Sequence, residues 1–144
     1  MATYFETSAL AKRYIAELGS DTVDAFLAQH ADDCVISPLV ATEFESILQH
    51  LLRQGLIDAA FAGASRSRFA ADLTGALWAM QPFEVASFGR AIGLLRDLGT
   101  PIATLDALHL ACAIELNCAA LATCDRQLAR AAEASGLVVH SFVN

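Results

Sequence analysis

The sequence predicts an α/β fold in which a short parallel sheet is covered by helices on both faces. Three observations lead there. Short apolar segments alternate with longer helical patterns, none of those segments alternates polar with apolar residues, and Gly, Pro or a capping residue punctuates nearly every junction. The 144 residues suit one domain spanning the whole chain, 1–144, and 29 of them are alanine, so the 56% hydrophobic content is largely small and helix-favouring.

Tyr4-Phe5 reads as a first buried strand, and Glu6-Thr7-Ser8 leads into a helix from about Ala9 to Glu17, capped by Thr7 or Ser8 and closed by Gly19. Ser20 is placed to cap a helix from Asp21 to about His30, with acids where the helix dipole favours them. Cys34-Val-Ile forms a second strand. Ser37-Pro38 then pairs a cap with proline at the first helical position, opening a helix that runs to about Gln54 and ends at Gly55. Leu56 to Met80 reads as helical, with an interruption expected around Gly63–Ser67. After the break at Gln81-Pro82, a helix from Ser87 to about Leu98 is stopped by Gly99-Thr-Pro101. Thr104 is a candidate cap for the apolar helix Leu105–Leu116. Ala119–Thr123 is a strand, Arg126–Ser135 a helix, and Leu137–Ser141 a last strand.

Composition narrows the chemistry. A net charge of −7 argues against a generic basic groove for nucleic acid, although bound cations reverse a local field. No basic, apolar leader opens the chain, and Ile102–Leu116 is too short and too interrupted by Asp106, His109 and Glu115 to span a bilayer; a cytoplasmic location is expected. Cys34, Cys112, Cys118 and Cys124 form no C-x-x-C pair and read as reduced, free thiols.

In an open parallel sheet, ligands bind beyond the carboxyl ends of the strands. Function is therefore sought after Phe5, Ile36 and Ala122, and acids stand near all three. Glu6 follows the first strand, as a surface acid or a site acid. Glu43 borders the apolar stripe Val40-Phe44-Ile47-Leu51 and reaches inward, whereas Glu45 points to solvent. Asp106, second in its helix, reads alone as a first-turn acid, and Asp125 as a plain N-cap. Together the four converge on one rim. Carboxylates about 5 Å apart at an effective dielectric near 20 repel by roughly 3 kcal/mol per pair, so the cluster calls for a shared proton or a cation. Oxygen donors without paired Cys or His favour Mg²⁺ or Mn²⁺ over zinc, and such ions commonly serve phosphoryl chemistry.

These residues resemble a known family. Tyr4-Phe-Glu-Thr-Ser-Ala-Leu-Ala-Lys resembles the opening strand and turn of PIN-domain ribonucleases, and more narrowly of the VapC toxins of bacterial toxin–antitoxin pairs. Ala41-Thr-Glu-Phe-Glu-Ser-Ile-Leu matches their second acidic motif, Thr104-Leu-Asp-Ala-Leu-His-Leu-Ala the third, and Leu121-Ala-Thr-Cys-Asp-Arg-Gln-Leu-Ala-Arg-Ala-Ala with Gly136-Leu-Val-Val the fourth and the closing strand. The last two are the specific ones. The resemblance implies a three-layer sandwich and a metal-dependent endoribonuclease holding Mg²⁺ or Mn²⁺ on Glu6, Glu43, Asp106 and Asp125, with Ser8 and Thr123 as polar supports. Water attack on phosphorus would leave a 5′-phosphate and a 3′-hydroxyl. It further implies an RNA substrate, a homodimer, and a small VapB-like antitoxin whose C-terminal segment lies over the toxin and often places an Arg in the acidic site.

One residue departs from the family pattern: its first acid is ordinarily Asp, and here it is Glu6. The added methylene moves the carboxylate by about 1.3 Å, a displacement able to cost on the order of 100-fold in rate. An alternative reading is therefore a weakened PIN module that mainly binds antitoxin or RNA. A phosphoacceptor domain would need a late lysine, and none follows Lys12; a dehalogenase-type phosphatase would need Asp where Ser8 stands. His109 is expected to be a satisfied core or interface histidine on a face apart from Asp106, and Lys12 a solvated helix residue or a substrate-backbone contact. Arg66 and Arg68, with Ser65 and Ser67, form a small basic patch in a turn or at an RNA or partner contact, and Trp78, Met80 and Phe83 read as core or dimer packing in preference to a base-stacking platform.

Overall fold

The computed structural model describes residues 1–16 and 19–142. In chain order the elements are β1 (Thr3–Phe5), α1 (Thr7–Tyr14), α2 (Ser20–Gln29), β2 (Cys34–Ile36), α3 (Pro38–Arg53), α4 (Ala59–Thr74), β3 (Ala79–Met80), α5 (Val85–Asp97), α6 (Thr104–Glu115), β4 (Ala120–Thr123), α7 (Arg126–Ala134) and β5 (Val138–Ser141). The strands form one sheet, ordered β3-β2-β1-β4-β5, and every pairing is parallel. This is the α/β sandwich that the apolar, non-alternating segments require. β1, β2 and β4 are buried throughout, because helices cover both faces.

The strand order decides where the site lies. The chain runs outward from β1 through β2 to β3, then returns to the other side of β1 with β4 and β5. Between β1 and β4 the winding reverses, and the carboxyl ends of those strands diverge there into a crevice. Phe5 pairs with Ala122 and the Glu6 N–H bonds to the Ala122 carbonyl at 3.0 Å, so Glu6 and Thr123 leave the sheet side by side.

Several local expectations need correction. The Leu56–Met80 segment is an uninterrupted helix only over Ala59–Thr74, opened by Asp58, whose carboxylate accepts the Phe61 N–H at 2.8 Å. Beyond it Ala79–Met80 form an edge strand on β2. Two residues without β-branching carry no strand signal of their own. They are held by Trp78, buried against Phe5 with ring centroids 5.0 Å apart, whose indole N–H reaches the Tyr14 hydroxyl at 2.7 Å. Arg66 and Arg68 thus lie within a helix rather than a turn. Arg66 pairs with Glu45, which is exposed as expected, and Arg68 sits 5.4 Å over the Tyr14 ring.

The helix starts shift as well. Glu6, not Thr7 or Ser8, caps α1; Gly19 takes the N-cap position of α2, which Ser20 begins; and Ala103 rather than Thr104 precedes α6. The expected end of the first helix at Glu17 lies outside the described residues. Gly55 ends α3 with φ 70°, a conformation that favours glycine, as its position after Gln54 suggested. α5 packs on α6 through Ala91, Ala107 and Ala111, small side chains that let the two helices approach closely. Lys12 is buried, not solvated.

Candidate active site

Glu6 leaves β1 with 6% of its surface exposed. One carboxylate oxygen accepts the Ser8 N–H at 3.0 Å; the other accepts the hydroxyls of Thr123, at 2.8 Å, and of Ser8. The Ser8 hydroxyl oxygen in turn accepts the Cys124 N–H at 2.9 Å, and the Thr123 hydroxyl accepts the Asp125 N–H at 3.0 Å. The two polar residues thus bind the β1–α1 turn to the β4–α7 turn and hold the Glu6 carboxylate across the crevice. The same carboxylate is the cap of α1, which explains how a long acid fits where a short one is usual: it folds back over the first turn.

Glu43 comes from the second turn of α3, one face of which packs Val40, Phe44 and Leu48 into the core. Its Oε1 accepts the Thr7 hydroxyl at 2.8 Å and a bond from His109 Nε2. Burial raises the Glu43 carboxyl, but the His109 and Thr7 bonds outweigh it and hold the group below the usual carboxylate range. Ligand atoms of Glu6, Glu43 and His109 all lie within 4.8 Å of one another.

Asp106 and Asp125 lie outside that group of three. Asp106, half-buried in the first turn of α6, is nonetheless pushed up to about 6, first by burial and then by the charges of Glu6 and Asp125. Asp125 caps α7 through Oδ1, which accepts the Leu128 N–H at 2.9 Å. The plain capping role and proximity to the rim therefore coexist in one side chain.

His109 is a satisfied core histidine, as expected, but its face relative to Asp106 needs correction. It lies three positions after Asp106, about 60° around the helix at 100° per residue, so the two share the inner side of α6 and are not on separate faces. Its ring is fully buried and both nitrogens are engaged, Nε2 with Glu43 and Nδ1 with the Tyr4 hydroxyl at 2.8 Å. The available signal was its one-turn spacing from an acid on an apolar helix.

A parallel α/β fold with Glu6 and Glu43 brought together beside the point where its winding reverses defines a class of proteins with an acidic site at the sheet edge. Along the sequence, residues 3–134 match the PIN domain family, and the chain belongs to it. No curated protein matches the chain by sequence. Among solved structures it is similar to FitAcB from Neisseria gonorrhoeae, with TM-score 0.74 and 17% identity over 97% of each chain. It is also similar to Mycobacterium tuberculosis VapC20, described as a sarcin–ricin-loop-cleaving toxin, with TM-score 0.70 and 17% identity over 95% of this chain and 97% of that one. The DNA-bound VapBC2 of Rickettsia felis gives TM-score 0.68 and 19% identity over 98% of each chain. At these identities the likeness is one of fold.

Proposed function

We propose that this PIN-domain protein is a metal-dependent endoribonuclease, the toxin of a toxin–antitoxin pair, with Glu6, Glu43, Asp106 and Asp125 forming its cation site. The observation that carries this reading is the meeting of Glu6 and Glu43 within 4.8 Å at the β1/β4 crevice, beside an Asp106 whose carboxyl is raised by burial and by its acidic neighbours. Glu6 and Glu43 in so small a space repel each other, Asp106 and Asp125 add charge nearby, and a divalent cation is the usual relief.

The donor set fits a hard cation. His109, the third member of the close group, has Nε2 engaged with Glu43 and Nδ1 with Tyr4, which leaves carboxylate oxygens supported by hydroxyls, and the half-buried thiol of Cys124 is directed to the Ser8 carbonyl at 3.5 Å. Glu6, Glu43, Asp106 and Asp125 would hold Mg²⁺ or Mn²⁺. Such an ion polarises a phosphate and lowers the pKa of water that it binds. The chain's own residues do the rest. Ser8 and Thr123 keep Glu6 across the crevice, and Thr7 and His109 keep Glu43 facing it. Hydrolysis forms one oxygen–phosphorus bond from water and breaks the bond to the 3′ oxygen, which takes up a proton and leaves as the hydroxyl; the 5′ side keeps the phosphate.

The test is RNA cleavage by the purified, partner-free protein with Mg²⁺, with Mn²⁺ and with EDTA. Cleavage that requires metal and is lost in Asp125→Ala supports the reading; equal cleavage in EDTA would overturn it. Cation binding must also displace the Asp106 proton, and this gives a second expectation. Because the folded-state pKa is raised to about 6, the metal-free protein gains stability as pH falls through 6, while metal affinity falls. The rise in Tm caused by Mn²⁺ should therefore be large at pH 7.5 and small at pH 5. A rise that is the same at both pH values counts against Asp106 as a ligand.

Partners follow from the surface. An apolar concavity of about 470 Å³, lined by Ile15, Leu51, Leu56, Ile57 and Phe61, suits an amphipathic antitoxin segment. The net charge of −7 favours a basic one. On α5, Val85, Phe88, Ile92 and Leu95 are exposed at spacings of three and four residues, an apolar stripe suited to a second copy of the chain; a monomeric mass in solution would refute the homodimer. Among the described residues no helix is long and apolar enough to cross a membrane, and a cytoplasmic location is part of the proposal.

A further inference from the structure

Behind the carboxylates a line of polar side chains crosses an otherwise apolar core. The hydroxyls of Ser37 and Tyr4 lie 2.8 Å apart, the Tyr4 hydroxyl lies 2.8 Å from His109 Nδ1, and His109 Nε2 bonds Glu43. Ser37, Tyr4 and His109 are each fully buried. Three separate elements supply them: β1, the turn after β2, and α6. Polar groups so deep in a core are costly unless paired, and a chain in which every member is paired sets one arrangement over others.

Ser37 shows that the line is more than incidental packing. It occupies the N-cap position of α3, where a serine hydroxyl ordinarily bonds the helix, yet it makes no capping bond and turns to Tyr4. Burial pushes the Tyr4 phenol far above its ordinary value, so it keeps its proton. A carboxylate only accepts, which places a proton on His109 Nε2. With that proton directed to Glu43, the Nδ1 contact with the Tyr4 hydroxyl and the Tyr4–Ser37 contact complete a hydrogen-bonded line from Ser37 to Glu43. Both bonds to Glu43 from described residues fall on Oε1, which leaves Oε2 for a cation.

We propose that His109, held by Tyr4 and Ser37, is a positioning residue that fixes the Glu43 carboxylate with Oε2 turned to the metal. This rests on the metal-nuclease reading above. A glutamate has three free torsions, and an unsupported one spends much of its time in rotamers that present no oxygen to the site; supports of this kind are worth about 10- to 100-fold in metal affinity or activity.

The test is Mn²⁺ binding by titration calorimetry to the metal-free protein and to His109→Leu, His109→Gln and Tyr4→Phe, each checked for folding by circular dichroism. His109→Leu, of similar bulk and without a donor, should weaken Mn²⁺ by about 10- to 100-fold, while His109→Gln, which keeps an N–H, should stay within about threefold of the parent. RNA turnover should follow through kcat, with KM nearly unchanged. Should His109→Leu fail to fold, Tyr4→Phe decides: the ring stays, its orienting hydroxyl goes, and affinity should fall at least about threefold. Unchanged Mn²⁺ affinity in His109→Leu or, where that fails to fold, in Tyr4→Phe overturns the positioning role while leaving the nuclease reading intact. Equal loss in His109→Gln and His109→Leu overturns it too, since packing alone would then account for the effect. A parent protein that binds no Mn²⁺ overturns both, and is recognised because Glu43→Gln then changes nothing.

Discussion

Asp106→Asn is expected to remove RNA cleavage and, in the metal-free protein at neutral pH, to raise the melting temperature. The two effects share one cause. Asp106 is half-buried, and burial together with Glu6 and Asp125 raises its carboxyl to about 6. An acid whose folded-state pKa lies above its unfolded value is a burden above pH 6, and the burden vanishes below about pH 4, where both states are protonated. Asparagine has nearly the same shape and no charge. After allowance for solvent screening of a partly exposed group, its gain at pH 7.5 is on the order of 1 kcal/mol, or roughly 3 °C, and it disappears near pH 4. Activity should fall by at least about 100-fold, because a group that holds charge in place for the transition state is gone. Paired thermal scans at pH 7.5 and pH 4, with cleavage assays at neutral pH, check both halves. A variant that is less stable at neutral pH, or that still cuts, refutes this account of Asp106. A site that destabilises its own fold until it is filled is a common trade between stability and activity.

Glu6→Gln carries the second large expectation, a loss of about 100-fold or more in cleavage, with a loss of stability smaller than that of Glu6→Ala because one acceptor oxygen remains. Glu6 does two jobs that substitutions can separate. As a cap it accepts the Ser8 N–H, and an amide oxygen can do the same; as a site acid it needs its charge. Glu6→Ala should lose both, adding about 1 kcal/mol for the cap and roughly 1–3 kcal/mol for the hydroxyls of Ser8 and Thr123 left without their acceptor. Glu6→Asp distinguishes a working ligand from a detuned one. It keeps the charge and an excellent capping geometry but draws the carboxylate about 1.3 Å back from Glu43. Slower cleavage than the parent means that Glu6 is matched to this site. Faster cleavage would favour the weakened-module reading.

The candidate site was legible to different depths at different residues. Glu43 was distinguishable from Glu45 by helical phase alone, and the structure has the first half-buried and the second exposed. Asp106 and Asp125 were recognisable by position but not by state: nothing local raises the pKa of a first-turn aspartate, and it took burial in the folded core together with Glu6, 100 positions earlier in the chain, to do so. The sequence marks Glu6 as a loop acid or a site acid and offers Thr7 or Ser8 as the cap. Rotamer choice decided otherwise, because Thr123 and Cys124 engage the Ser8–Glu6 pair from another strand.

By itself the sequence determined the parallel α/β class, four of the five strands, the order of helices and the acids at their starts. Those features rest on signals that act within a few residues: apolar runs, caps, and prolines or glycines at junctions. Tertiary structure alone decided the strand order that opens the crevice between β1 and β4, the two-residue edge strand at Ala79–Met80, and the line from Ser37 to Glu43. The bonds that make that line join residues 33, 105 and 66 positions apart. No local preference encodes such pairings. They arise because a packed core leaves each buried polar group only the partners that the fold happens to bring beside it.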